Sequence, residues 1–149
     1  MAVSRGAGTE IIRSVNLEAV NSTGRNLIYG EQHHIYTVLS VIAYADNLNA
    51  AGDYITMRLI GYDAVVGETA QHIQIFKEDM QVLKTFVWND KFSFNGHEPT
   101  DFTGPLDSIV KQDAVADQGS SVAQLLVISS EHASDNFDVI CTYIDQNNS

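Results

Sequence analysis

The chain has too few cysteines to form disulfide cross-links within itself. It contains one cysteine, Cys141, among 149 residues, so an internal disulfide is impossible and a disulfide-stapled secreted fold is excluded. Cys141 lies in a strand-like apolar run, and we therefore expect its thiol to be buried and inert.

Basic residues are also scarce. Eight Lys and Arg stand against 19 Asp and Glu, which gives a net charge of -11. This charge argues against a nucleic-acid partner, because contacts to phosphates need Lys and Arg. The charge is uneven: residues 1–25 hold three arginines and two glutamates, a net of +1, whereas the remainder holds five basic and 17 acidic residues, a net of −12. The N-terminal segment is thus either a docking element for an acidic partner or an ordinary tail on a soluble acidic domain.

Long apolar runs are missing as well. No stretch approaches the roughly 20 apolar residues of a membrane span, and the first ten residues, MAVSRGAGTE, lack the apolar core of a secretion signal. We therefore expect no membrane partner and synthesis in a reducing cytoplasm.

Catalytic and cofactor motifs are not found. Nothing resembles G-x-S-x-G, a P-loop or G-x-G-x-x-G, and the five histidines lack the spacing of a zinc site. We expect a protein that is not an enzyme, with no cofactor, no metal and no small-molecule substrate. Two weaker alternatives stay open: a metal site assembled from distant histidines, and a calcium site at the acidic loops. The candidate calcium ligands are Glu98, Asp101 and Asp107, or Asp113 and Asp117.

Short runs of β-branched and aromatic residues dominate the rest of the chain. Turn signals separate most of them, and no long segment keeps a helical period. This pattern predicts an all-β fold, a jelly-roll-like antiparallel β-sandwich, with a flexible N-terminal arm at 1–9 and a single domain over 10–149. The predicted strands are 10–20, 35–44, 54–62, 72–76, 81–88, 91–94, 108–111, 122–129 and 137–144. Loops are predicted at 46–53, 63–69, 95–106 and 113–121, and a polar turn is predicted at 77–79.

The stretch FVWNDKFSFNG, residues 86–96, holds the only tryptophan. Phe86 and Trp88 share one face of a strand, and Phe92 and Phe94 share one face of the next. An aromatic platform for sugars would place Trp or Tyr on loops, and the loops are nearly free of both. We interpret the stretch as a strand–turn–strand corner of a packed sandwich.

Three segments together carry a resemblance: TFVWNDKFSFNG near the middle, DSIV after it, and the closing strand FDVICTYIDQNNS. In this combination the chain resembles the small jelly-roll head decoration (cement) proteins of tailed bacteriophages. The resemblance implies a structural virion protein on the head surface, made in the host cytoplasm. It implies a homotrimer that binds the major capsid protein and bridges neighbouring capsid subunits to stabilise the shell.

The same resemblance suggests contact residues. Arg5, Arg13 and Arg25 are the first candidates for an acidic capsid surface or a neighbouring protomer. The loop 95–106 is longer than a simple turn and departs from the pattern, so Glu98, Asp101 and Phe102 are added as candidate contacts. Alternatives that stay open are another phage virion component (a tail, neck or fibre-base protein), a carbohydrate-binding β-sandwich module, and a cupin-like enzyme with a His/Glu metal site.

Overall fold

The computed structural model describes residues 8–63, 68–99, 105–118 and 121–148. Within these ranges the chain forms eleven β-strands and one helix. In chain order they are β1 (Thr9–Val20), β2 (Arg25–Tyr29), β3 (His34–Asn47), β4 (Tyr54–Asp63), β5 (Glu68–Asp79), β6 (Thr85–Trp88), β7 (Phe92–Asn95), β8 (His97–Pro99), α1 (Ile109–Ala116), β9 (Ser121–Ala123), β10 (Leu125–Ser130) and β11 (Asn136–Asn147). Most of the predicted arm and three candidate contacts, Arg5, Asp101 and Phe102, lie outside the described residues.

The strands form two larger antiparallel sheets. One sheet has the order β1-β11-β3-β6, with β7 also paired to β3, and the other has the order β2-β10-β4-β5. The chain passes between the sheets at most connections, and each of the last two long strands inserts between two earlier ones. This interleaving is the jelly-roll arrangement, so the predicted fold class is confirmed. A small third sheet pairs β8 with β9.

Alternation along the strands places the core between the sheets. In β11, Phe137, Val139 and Cys141 are buried, whereas Asp138 between them is exposed. Ile55 and Met57 of β4 are fully buried from the opposite sheet. Each sheet therefore contributes one apolar face to a shared core.

One predicted strand is wrong. Residues 108–111 begin the helix α1, because Ser108 acts as the N-cap and its Oγ accepts a hydrogen bond from the Lys111 N–H at 3.2 Å. The Asp107–Lys111 ion pair, at 3.0 Å, spans the same turn. The apolar pair Ile109-Val110 favours a strand locally, and the cap overrides it. The predicted loop 113–121 likewise contains the end of this helix.

Other observed boundaries of strands differ from the predicted ones, and the pairing between strands explains these differences. The predicted turn at 77–79 belongs to β5, whose Lys77 and Glu78 pair with β4. The short strand β2 was not predicted and β8 falls in the predicted loop 95–106, because each depends on a distant partner. Gln124 separates β9 from β10 within the predicted strand 122–129. Of the helices in the described ranges, none is long and apolar enough to cross a membrane.

Three connections meet at one tight junction. A Cβ added to Gly30 would lie 1.9 Å from the Gly96 carbonyl oxygen, and one added to Gly96 would lie 2.1 Å from the Glu31 oxygen. Gln124 closes the junction: its N–H donates to Gly96 O at 2.8 Å, and its own carbonyl accepts from Gly30 N–H at 2.9 Å. Only glycine allows these backbones to approach so closely.

Candidate functional site

Arg13, the first of the predicted contacts that the structure describes, is held within the protein. Its Nη1 donates to Asp145 Oδ2 at 3.0 Å, and the other carboxylate oxygen lies 2.5 Å from His34 Nδ1. His34 Nε2 in turn lies 3.3 Å from a Glu31 carboxylate oxygen. Asp145 is 1% exposed and the Arg13 side chain 51%. Arg13 therefore neutralises a buried carboxylate and keeps about half of its surface for an external contact.

Two tyrosines enclose this ionic group. Burial raises the pKa of Tyr36 to about 12 and also raises the pKa of Tyr143. The hydrogen bond to Asp145, together with the nearby Tyr143, raises the pKa of Arg13. Both phenols thus stay neutral at neutral pH beside the Arg13–Asp145 ion pair, near the end of the larger sheet where β1 begins.

The other described contacts lie elsewhere. Arg25 Nη1 donates to the Glu18 carbonyl at 2.6 Å, about five residues or 17 Å along β1 from Arg13. Glu98 lies on β8, where its carboxylate accepts from Asn95 Nδ2 at 2.9 Å. The structure does not bring these three residues together into one site.

A second surface was not anticipated from the sequence. Leu106, Ile109 and Val110, at the start of α1, are 40%, 75% and 79% exposed, and no residue of this helix is buried. Side chains of this kind normally lie inside. We call these three residues the helix patch. The sequence signal was present as an apolar pair next to the predicted loop 95–106, but it was read as a strand.

A third surface lies on the outer face of the larger sheet. Ile42 of β3 is opposite Ile140 of β11 and Val87 of β6, which makes an apolar row across three strands. Ile42 is 37% exposed and Val87 53%. Apolar residues on both faces of 35–44 predict a central strand with little solvent access, which is right for the face of Val41 and Ala43 and wrong for Ile42 on the other face. Beside the row is an open concavity of about 340 Å³, which we call the sheet concavity. It is lined by Asn16, Leu17, Glu18, Ile42, Tyr44, Asp138, Val139 and Ile140.

Two buried carboxyl groups meet at the other end of the sandwich. Asp53, before β4, is hydrogen-bonded to Asp135, before β11, and they are 7% and 4% exposed. The hydrogen bond to Asp135, assisted by burial, raises the pKa of Asp53. Burial opposes ionisation of Asp135, but N–H groups of Asn49 and His132 donate to it at 2.9 Å each, and its pKa is lowered. Asp53 is therefore the member of the pair that keeps its proton up to the higher pH.

The aromatic stretch 86–96 packs on the core rather than forming a displayed platform. Trp88 and Phe92 pack edge to face with their ring centroids 5.4 Å apart, and Phe76 of the other sheet lies 6.3 Å from Trp88. Both β6 and β7 pair with β3 on either side of residues 89–91. The predicted strand–turn–strand corner is confirmed.

Among the described residues, no group of three or more His, Cys, Asp or Glu side chains is arranged to hold a metal ion. Of the candidate calcium ligands, Asp107 pairs with Lys111, Asp113 lies in α1, and Asp101 is outside the described ranges.

Comparisons with known proteins give structural neighbours only. No protein-family model and no curated protein matches the chain. Among solved structures, a chain of the Bacillus endospore appendages, which form disulfide-linked pili, is 14% identical, with a TM-score of 0.42 over 100% of this chain and 97% of that chain. A chain of the T13 IBDV viral particle is 6% identical, with a TM-score of 0.47 over 99% of this chain and 33% of that chain. A chain of the infectious bursal disease virus strain Gx is 6% identical, with a TM-score of 0.46 over 99% of this chain and 35% of that chain.

Proposed function

We propose that this chain is a structural virion protein that decorates the outer head surface of a tailed phage and bridges neighbouring capsid subunits. The support from the sequence is the resemblance of its three segments. The support from the structure is the helix patch, which is the observation that carries a binding role.

The helix patch is costly to leave in water. Ile109 and Val110 are more than 70% exposed, and burying each side chain fully is worth about 1.5–3 kcal/mol. A helix of eight residues with no buried side chain gains little from its own domain. A partner surface that covers the patch would stabilise both the helix and the complex. In the proposed role this partner is the major capsid protein.

The half-exposed Arg13 and the exposed Arg25 are polar contacts in the same proposal, together with Arg5. Charged groups at the rim of an interface chiefly set partner choice and association rate. A homotrimer is part of the proposal, and light scattering that returns a mass near three times 16.4 kDa would support it.

The test is co-sedimentation of the purified protein with undecorated heads. The double variant Ile109→Asp/Val110→Asp should bind about a hundredfold more weakly, because it loses two apolar anchors. The matched control is Val82→Asp/Leu83→Asp, which also adds two charges: the two side chains are 43% and 64% exposed at a turn, and Asp tolerates the φ of 65° at Leu83. A wild-type protein that stays in the supernatant contradicts the proposal. Sedimentation with tails but not heads would instead support the tail, neck or fibre-base alternative.

A further inference from the structure

The sheet concavity has the chemistry of a binding groove for a short apolar and basic segment. Its floor holds Ile42 and Ile140, with Tyr44 beside them. Its rim holds the carboxylates of Glu18 and Asp138, and neither forms an ion pair with the described residues.

The balance of charge at this rim is negative. Asp46 follows Tyr44 by two residues, so it lies on the same outer face of β3 and is exposed. The guanidinium of Arg25, bonded to the Glu18 carbonyl, is the opposing cation. Two carboxylates on the rim and a third farther along the same face, against one guanidinium, leave a surface that attracts a positive charge.

The N-terminal residues of this chain have the matching composition. Residues 1–8 read MAVSRGAG: Val3 and Met1 are apolar, Arg5 is basic, and none of the eight is acidic. This basic segment contrasts with the rest of a chain whose net charge is -11.

The arm of the same chain is too short to reach. From Thr9 to Leu17 the strand rises about 26 Å, whereas Arg5 lies at most about 14 Å from Thr9 along an extended backbone. Gly8 N–H also bonds to Asn147 O, so the chain is still directed away from the concavity where β1 begins. An occupant with this sequence must come from another copy.

We propose that the sheet concavity of one copy binds residues 1–7 of a second copy, with Val3 on the apolar floor and Arg5 facing Asp138. This contact links copies side by side and adds a contact between protomers to the proposed function. It rests on that function only for its location on a phage head. It assigns Arg5 to a neighbouring protomer rather than to the capsid protein.

Charge reversal tests the pairing directly. In sedimentation equilibrium of the full-length protein, Arg5→Glu and Asp138→Lys should each weaken self-association about tenfold, and the two changes combined should restore most of it. Lys91→Glu is the matched control for Arg5→Glu, because it makes the same change in net charge at an exposed position between β6 and β7. A wild-type protein that remains monomeric at about 1 mM, or an Arg5→Glu variant that associates like the wild type, overturns the proposal.

Cross-linking tests the geometry. Ser4→Cys mixed with Asn16→Cys should give a disulfide-linked dimer under oxidation, since Asn16 is exposed and lines the concavity. A mixture of Ser4→Cys with Ile73→Cys, an exposed position on the other sheet, should give much less. Equal yields overturn the assignment.

If the copies associate through the arm and yet do not sediment with heads, the proposed function fails and this inference stands. If the wild-type protein sediments with heads but stays monomeric in solution at about 1 mM, the inference fails and the proposed function stands.

Discussion

Asp145 and His34 lie on paired strands, with the Asp145 Oδ1 atom 2.5 Å from the His34 Nδ1 atom, although only 1% of the aspartate is exposed. Arg13, on the other flank of β11, donates to the second carboxylate oxygen. A buried carboxylate is tolerated only when it is paired and hydrogen-bonded. Asp145 therefore joins β1 and β3 across the central strand, next to the point where the N-terminal residues enter the sheet.

Asp145→Asn should lower the free energy of unfolding by about 2–3 kcal/mol, because it leaves Arg13 and the largely buried His34 without their charged partner. The measurement is equilibrium denaturation in urea. The matched control is Asp138→Asn, an exposed carboxylate on the same strand, which should change the stability by less than about 0.5 kcal/mol. Equal effects of the two substitutions would show that Asp145 contributes nothing as an ion-pair partner.

Gly30→Ala should be severely destabilising, by more than about 3 kcal/mol, because the new Cβ would lie 1.9 Å from a backbone oxygen that belongs to a different connection. Gly52→Ala is the comparison: no atom lies within 4 Å, but φ is +89°, so the cost is backbone strain of about 1 kcal/mol. Thermal unfolding of both variants shows which of the two is less stable. A Gly30→Ala protein at least as stable as Gly52→Ala would contradict the close approach at Gly96.

Much of the fold could be predicted from the sequence, because long strands that pack on one face leave a period-2 pattern. The alternation of Phe137, Val139 and Cys141 with polar neighbours, and that of Ile55 and Met57, are local signals that the tertiary structure keeps. The strand β2 and the strand β8 are set by distant partners at the Gly30–Gly96 junction, which no local pattern shows. The helix α1 depends on one cap residue that competes with a β-branched pair.

The candidate surfaces were harder to predict, for a physical reason. The apolar residues of β3 point to both faces, and sequence alone predicts burial for both. The structure buries Val41 but leaves Ile42 37% exposed. Arg13 was expected to contact a partner, but a pairing with Asp145, 132 positions away in the sequence, is visible only in three dimensions.

Cys141 should be inert to thiol reagents in the native protein. Burial raises its pKa to about 12, so almost no thiolate exists at pH 8 in the folded state, and the group is also shielded. Its labelling should run at least about a thousandfold more slowly than in urea, since it requires unfolding. Ser14→Cys gives the control, because Ser14 lies exposed on the neighbouring strand. Rapid labelling of Cys141 without denaturant would contradict its burial.

The Asp53–Asp135 pair should make stability depend on pH. Because the pKa of Asp53 is raised in the folded state, its contribution is fully present below the ordinary aspartate pKa of about 3.9 and is lost as pH rises through the raised value. The lowered pKa of Asp135 acts in the opposite direction: its contribution is present above the ordinary value and is lost as pH falls through the lowered one. The pair is therefore most favourable in the acidic window between the lowered and the raised pKa.

Asp53→Asn keeps a donor toward Asp135 and an acceptor for the Ala50 N–H without needing a proton, so it mimics the protonated acid at every pH. Urea denaturation from about pH 4 to pH 8 should show the wild type losing stability on the alkaline side of the window, while Asp53→Asn does not lose it there. Asp135→Asn should be destabilised throughout, because it loses a charged acceptor of the Asn49 and His132 N–H groups. Parallel pH profiles for wild type and Asp53→Asn would mean that the two carboxyl groups do not share a proton.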